Sequence, residues 1–385
     1  MSKIAYSKDK IEELLNTLAD TITISDSLFE KADKLYDELG DWINKESEEY
    51  RVHIYPQGSF ALGTVIKPIT DTDDYDVDMV CKIEQGIVRN ADALKNEIVF
   101  PWLDEYKPHK TDVEEKTRCW HVDYDDVQNF HMDVIPAIPR YTLTENSAIK
   151  ITNKEDKGDY TYCTSDPKAF ADWFLDCCKR KPSSTGTMTG QDMAVMEDLK
   201  PMKRKTKLQK AVQILKRHRD IMFQENSKDK PASILITTIA GELYSGETTL
   251  FETISYFNKK IETYLLLHYN PKDNTYVITN PCCPDEEFTD KWKKHPERRA
   301  AFFDWIKQLK TDFDPDNLMF RDRVSMGNHV KKVFGAKAGT QVFKAIGLAE
   351  ASAVSTGSMK LNPSTGSISS TGTKAIPPSR HYGKE

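Results

Sequence analysis

No apolar run in this sequence approaches the roughly 18 residues that cross a bilayer, which excludes a membrane-spanning helix from expectation. Residues 1–15 lack the apolar stretch of a secretory leader, so a cytoplasmic protein is expected. The chain lacks any C-x-x-C spacing. Its seven cysteines are an odd count, and two pairs are directly adjacent, Cys177-Cys178 and Cys282-Cys283. Adjacent thiols point apart, so reduced structural thiols fit better than a zinc site. There is no excess of basic charge either: 54 Lys and Arg stand against 60 Asp and Glu, for a net charge of −6. That balance gives no general attraction to nucleic acid or anionic lipid, and any polyanion site must be local. No repeat of 20 to 50 residues is visible.

What is present is enough apolar residue to build two packed lobes: 38% of 385 residues, spread along most of the length. From Lys8 to Tyr50, apolar residues recur at helical spacing (Ile11, Leu14, Leu15, Leu18, then Leu28, Ala32, Leu35, Leu39, Trp42), which predicts an N-terminal helical spine over 1–50. Over 51–160 the period shortens to two. "VHIYPQ", "YDVDMVCKI", "TRCWHVDY" and "FHMDVIPAIP" alternate around a Gly86 turn and a polar "DDVQN" turn, which predicts a small sheet interrupted by a helix near Ala91 to Tyr106. The helical period returns over 161–349, in "PKAFADWFLDCCK", "LQKAVQILKRHRDIMF" and "RRAAFFDWIKQLK" among others. The expected fold class is α+β, a small mixed sheet with helices plus a mainly α-helical second lobe. Residues 350–385 turn to Ser, Thr, Gly and Pro, a composition that predicts a disordered tail.

The stretch "YPQGSFALGTVIKPITDTDDYDVDMV" crowds aspartates into a strand, where Asp is disfavoured. Alternate strand residues share a face, so Asp76 and Asp78 point one way while Tyr75, Val77 and Met79 point to the core. Two carboxylates held side by side repel unless a cation lies between them, and hard divalent ions take oxygen ligands of this kind. Asp133 in "FHMDVIP" has the same apolar-Asp-apolar setting. If its strand pairs beside that of Asp76 and Asp78, three carboxylates converge as in two-metal phosphoryl transfer. Upstream, Gly58-Ser59 ends a strand and begins a helical turn, where the backbone can approach a phosphate. Asp71, Asp73 and Asp74 read as nearby charge. The histidines His53, His121, His131 and His218 read as structural, since a lone His is weak support for a site.

In this order, "QGSF", "DYDVDMV" and "FHMDVIPA" resemble the nucleotidyltransferases of DNA polymerase beta type, and most closely the bacterial cGAS/DncV-like nucleotidyltransferases (CD-NTases) of CBASS anti-phage systems. The likeness covers roughly residues 50 to 320. It implies that Gly58 and Ser59 hold the triphosphate of a substrate NTP, ATP or GTP, and that Asp76, Asp78 and Asp133 carry two Mg²⁺, with Mn²⁺ as a substitute. It also implies transfer between NTPs with pyrophosphate release, then closure to a cyclic di- or trinucleotide messenger read by a downstream effector. The long loop between Ser59 and Asp76 departs from the generic superfamily.

Residues 200–219, "KPMKRKTKLQKAVQILKRHR", hold nine Lys or Arg and no acid, the footprint of an anionic neighbour. Leu208, Val212, Leu215 and Met222 form an apolar stripe that leaves Lys216 and other cations projecting. By resemblance, Lys216 and Ser233 of "KPASI" grip the triphosphate. A solvated face or a nucleic-acid groove are the other readings, and the lack of interleaved aromatics argues against the groove. Template-independent transfer to RNA or protein, and a non-catalytic nucleotide-binding scaffold, are the competing functions. The tail "PPSRHYGKE" is compatible, by the same resemblance, with conjugation by ubiquitin-like E1/E2 enzymes.

Overall fold

The computed structural model describes residues 7–70, 73–84, 90–109, 111–124, 130–141, 147–181, 205–319, 321–361, 363, 368–369 and 373–376. Asp71, Gly86, the polar turn at 125–129, Lys200, Lys203, Arg204 and the last residues from 377 lie outside the described residues.

Two capped helices open the chain. Helix α1 (Lys8–Ile22) begins at Ser7, whose hydroxyl accepts from the Lys10 N–H, and α2 (Asp26–Glu46) at Ser25, whose hydroxyl accepts from the Leu28 N–H. Both have the expected apolar stripe, but the stripes face different cores. Ile11, Leu14, Leu15, Leu18 and Ile22 of α1 join the core of the helical lobe, while Ala32, Leu35, Tyr36, Leu39 and Ile43 of α2 lie under the sheet.

The sheet has seven strands: β1 (Val52–Pro56), β2 (Tyr75–Ile83), β3 (Thr111–Glu115), β4 (Trp120–Tyr124), β5 (Phe130–Pro139), β6 (Ile149–Lys154) and β7 (Tyr160–Ser165). The order is β1-β2-β5-β4-β3, with β6 pairing the end of β5 and β7 pairing β6. Only β2 and β5 run parallel, the other pairs being antiparallel. Tyr75, Val77, Met79, Met132 and Val134 turn onto α2, a π-helical segment (Ala93–Val99) and the short helix that continues it. The opposite face carries Asp76, Asp78 and Asp133 at one end. It becomes apolar further along, where Val80 and Ile135 pack with Tyr55, Ile149 and Ile151.

The sequence marks no strand at β3, β6 or β7, and it restarts the helices at about Tyr160. Strand β3, with the sequence TDVEE, has no buried residue and one apolar one, Val113, so it carries no apolar–polar signal in the sequence. The β-branched and aromatic residues of β6 and β7 find partners only once the end of β5 is in place. The sheet therefore extends to Ser165.

The second lobe is built from helices, as expected. Between β1 and β2 lies α3 (Gly58–Ala61), and after β7 come α4 (Pro167–Cys178), α5 (Lys207–Met222), α6 (Ser233–Leu243), α7 (Leu250–Leu267), α8 (Pro296–Asp312), α9 (Arg323–Phe334) and α10 (Ala336–Ser355). Helix α5 lies in the middle of this lobe. Its stripe is wider than the sequence suggests: Leu208, Ala211, Val212, Ile214 and Leu215 are buried, whereas Met222 is 40% exposed. The cations read as projecting are also buried, with Lys216, Arg217 and Arg219 each 6% exposed or less. Helix α10 runs five residues past the expected start of the tail, because the alanines from Ala349 to Ala353 continue a helix. Beyond it, Lys360–Leu361 pairs with Ile368–Ser369 and Lys374–Ala375, so these residues are ordered into a small sheet, contrary to a wholly disordered tail. All seven cysteines are free. Among the described residues no helix is long and apolar enough to cross a membrane.

Candidate active site

The parallel pairing of β2 and β5 sets Asp78 opposite Asp133, and the two-residue period puts Asp76 on the same face. Oxygens of Asp76, Asp78 and Asp133 lie within 4.8 Å of one another. Among the described residues no Lys or Arg forms an ion pair with any of the three. Removal from water, and then the charges of Asp76 and Asp133, push the Asp78 carboxyl well above the usual carboxylate range, and Lys216 relieves this only in part. At Asp76 the surrounding protein also pushes the carboxyl up, but the hydrogen bond and charge of His131 outweigh it and leave it below its ordinary value. Three converging hard oxygen donors with an unrelieved anion among them fit a divalent cation such as Mg²⁺.

Next to them, β1 ends in a turn whose Gln57 N–H donates to the Asp78 carbonyl at 3.0 Å. Gly58 follows with φ +63°, and a Cβ built there would lie 1.9 Å from Asp78 Oδ2. Glycine is therefore required twice, by conformation and by space. Ser59 follows as the second residue of the four-residue α3.

Helix α5 closes the site from the other lobe with a ladder of donors. Gln209 Nε2 donates to the Leu62 carbonyl at 2.9 Å, Gln213 Nε2 to that of Val65 at 2.7 Å and Lys216 Nζ to that of Thr64 at 3.0 Å. Arg217 Nη2 donates to the Lys67 carbonyl. These residues, three or four apart, share one face of the helix. They pin the loop that joins α3 to β2. Burial, and then the charge of Arg219, lower the Lys216 ammonium to about 8, although Asp220, Asp76 and Asp78 all pull it upward. Lys216 thus feels the carboxylate cluster. Ser233, at the start of α6, accepts from Arg219 Nη1 at 2.8 Å, and Arg219 also bonds Asp220. The structure places Ser233 on Arg219, one turn of α5 beyond Lys216, rather than on Lys216 itself.

Four residues of the site carry no motif in the sequence: Arg219, Asp220 and the two histidines His121 and His131. His121 Nδ1 lies 2.7 Å from Asp133 Oδ1, and His131 Nε2 lies 3.0 Å from Asp76 Oδ1. The hydrogen bond to Asp133 raises the His121 imidazole above its ordinary value. Both histidines, read as structural from the sequence, stand on the carboxylates. The alternation that places Asp133 on the site face places His131 there too, but His121 needs the β4–β5 register, which no short-range pattern gives. Asp74, read as nearby charge, offers an oxygen within 4.8 Å of Asp123 and His131. His53 is paired to Glu84 at 3.7 Å, and His218 is buried between Asp312 and Trp305.

The family described as "Cyclic GMP-AMP synthase DncV-like, nucleotidyltransferase domain" matches residues 52–137. A c-di-GMP synthase of Roseivirga ehrenbergii is 28% identical over 312 residues, which are 80% of this chain and 80% of that protein. The cyclic dinucleotide synthase CdnG of Bradyrhizobium diazoefficiens is 24% identical over 322 residues, 79% of this chain and 74% of that one. The solved structure of the Bradyrhizobium diazoefficiens CD-NTase CdnG in complex with GTP superposes with a TM-score of 0.70 at 21% identity, covering 88% of this chain and 99% of that one. At that identity the superposition speaks for the fold alone.

Proposed function

We propose, for a chain that belongs to the DncV-like nucleotidyltransferases, that it joins nucleoside triphosphates into a cyclic dinucleotide or trinucleotide by transfer that depends on a divalent metal at Asp76, Asp78 and Asp133. The observation that carries this reading is the β2–β5 register, which converges those three carboxylates beside the Gly58 turn. The two sequence relatives are named for cyclic dinucleotides, one of them for c-di-GMP, and the solved relative holds GTP. GTP is therefore the first substrate to test, with ATP beside it.

In the reaction a ribose hydroxyl of one nucleotide attacks the α-phosphorus of another. A phosphorus–oxygen bond forms, the bond to the β-phosphate bridge breaks, and pyrophosphate leaves; a second transfer closes the ring. Asp76, Asp78 and Asp133 would hold the divalent metal, which when bound would supply charge against the phosphate oxygens and acidify the attacking hydroxyl. The rest falls to this chain. Gly58 lets the backbone come against Asp78, Ser59 offers its hydroxyl to the phosphates, and Lys216 sets an ammonium opposite them. Ser233 becomes available when Arg219 turns from it to a phosphate, for which a guanidinium fork is well shaped.

Purified protein incubated with all four NTPs, Mg²⁺ and phosphatase, then analysed by mass spectrometry, should yield a phosphatase-resistant cyclic nucleotide. The Asp76→Ala/Asp78→Ala variant should yield none. Product in both samples, or in neither across Mg²⁺ and Mn²⁺, overturns the reading. An anti-phage role, with an effector reading the product, belongs to the same proposal, as does conjugation of the tail. If co-expression with E1/E2-like partners leaves only free C-termini, conjugation is ruled out.

A further inference from the structure

The acidic site is wider than its three aspartates. Across β2, β5 and β4 the side chains form two parallel rows: Asp76, His131 and Asp123 in one, and Asp78, Asp133 and His121 in the next. The two imidazoles touch each other, with ring centroids 4.2 Å apart. One donor atom from each of His121, His131 and Asp133 falls within 4.8 Å of the others, just as for the aspartate trio. The two sets share Asp133.

We infer that His121 through Nδ1 and His131 through Nε2 are nitrogen ligands of the metal centre, which makes its donor set mixed rather than purely oxygen and favours a transition ion such as Mn²⁺ over Mg²⁺. This rests on the reading of Asp76, Asp78 and Asp133 as metal-binding. The separations of 2.7 Å for His121 Nδ1 to Asp133 Oδ1 and 3.0 Å for His131 Nε2 to Asp76 Oδ1 are those of a hydrogen bond. They also match the edge of an octahedron with bonds of about 2.1 Å, whose cis ligands stand roughly 3 Å apart. Exchange of the shared proton for a metal keeps the N···O separation near its present value and requires each ring to tilt so that its lone pair points at the ion.

A second observation points the same way. His121 Nε2 lies 3.4 Å from Asp123 Oδ1, on the side of the ring away from Asp133. A metal-ligating histidine typically donates its other ring N–H to a carboxylate, which fixes the tautomer and aims the lone pair at the metal. Asp123 stands on that side of the ring, at ion-pair distance. Nitrogen donors suit first-row transition ions, whereas Mg²⁺ prefers carboxylate and water oxygens.

The test uses the full chain with substoichiometric Mn²⁺ as the probe and no nucleotide. Pulsed EPR of the bound ion should show nitrogen modulation from coordinated imidazole. His131→Gln should weaken it, and the double variant His121→Gln/His131→Gln should lose it, with the Mn²⁺ dissociation constant raised about tenfold or more. Mg²⁺ should displace the bound Mn²⁺ only in at least tenfold excess. Bound Mn²⁺ without nitrogen modulation in the wild type, or no Mn²⁺ binding at all, overturns the inference. Should a variant fail to fold, the wild-type spectrum alone decides. Nitrogen modulation without any cyclic product supports this ligation while ending the synthase reading, so the two fail separately.

Discussion

At Gly58 a single methyl group would reach the carboxylates. Its φ of +63° is costly for any other residue, about 1–2 kcal/mol, and its missing Cβ makes room for Asp78 Oδ2 at 1.9 Å. Gly58→Ala should leave a folded chain with a slightly lower Tm, and the rate of product formation should fall on the order of 100-fold, as displacement of a reacting group by 1 Å does. A rate within a few-fold of wild type means that Asp78 need not sit where the structure puts it. Lys216 gives a pH dependence. Its folded value of about 8 is below the ordinary lysine value, so burying it charged costs stability below pH 8, and that cost fades as pH rises through about 8 towards 10.5. A bound triphosphate favours the charged form. Affinity for GTP should therefore be full below pH 8 and fall above it by up to about tenfold per unit, while Lys216→Met should bind weakly at every pH. A wild-type affinity that stays flat from pH 7 to 9.5 removes Lys216 from the phosphates. The aspartates were legible in the sequence because carboxylates side by side on one face of a strand repel unless a cation lies between them. His121 and His131 were not, because a histidine on a half-buried strand breaks nothing.

At the scale of elements, α5 turns its donors onto the loop that joins α3 to β2 instead of projecting the basic face read from the sequence. The count of cations in "KRKTKLQKAVQILKRHR" was correct, but their use depends on the carbonyls at 62–67, which no helical period can announce. Gln213 is the clearest case: it donates to the Val65 carbonyl and accepts from Thr23 Oγ1 at 3.2 Å, so one amide ties α5 to the loop and to the end of α1. Gln213→Leu keeps the volume but leaves a buried carbonyl unpaired, at about 1–3 kcal/mol. Thermal melting should show a Tm several degrees lower, and the KM for NTP should rise more than kcat falls, because the loop between α3 and β2 is loosened. An unchanged Tm means that the carbonyl ladder adds nothing net. Strands β3, β6 and β7 were illegible for a related reason: their signal lies in partners, not in their own alternation.

For the whole molecule, the change of period after Tyr50 and again near Tyr160 revealed two lobes, but a stripe on a helix does not name the core it will join. Helix α1 joins the distant lobe, binding it in two ways and the loop of the site in a third. Its buried residues Ile11, Leu14, Leu15, Leu18 and Ile22 are each 3% exposed or less, and at about 1.5–3 kcal/mol each they sum to roughly 10 kcal/mol, the size of a whole protein's stability. The Glu12 carboxylate accepts from the Leu250 and Phe251 N–H groups at 3.0 and 2.7 Å, capping α7 from outside its own sequence. Its last turn is held by Lys67, whose Nζ donates to the Thr21 carbonyl at 2.8 Å and whose N–H donates to that of Ile22 at 2.7 Å. Because Lys67 lies in the loop pinned by α5, α1 is the strut through which the helical lobe holds the loop beside the carboxylates. Deleting residues 1–24 should give an insoluble chain, or one without a cooperative melting transition, even though every residue of the proposed site remains. Glu12→Gln, which removes only the charge from the cap, should stay soluble and active with a modest loss of Tm. A soluble, cooperatively melting and active deletion would show that the helical lobe closes without α1, and that residues beyond the strut are enough to hold Lys216 on the Thr64 carbonyl beside the site.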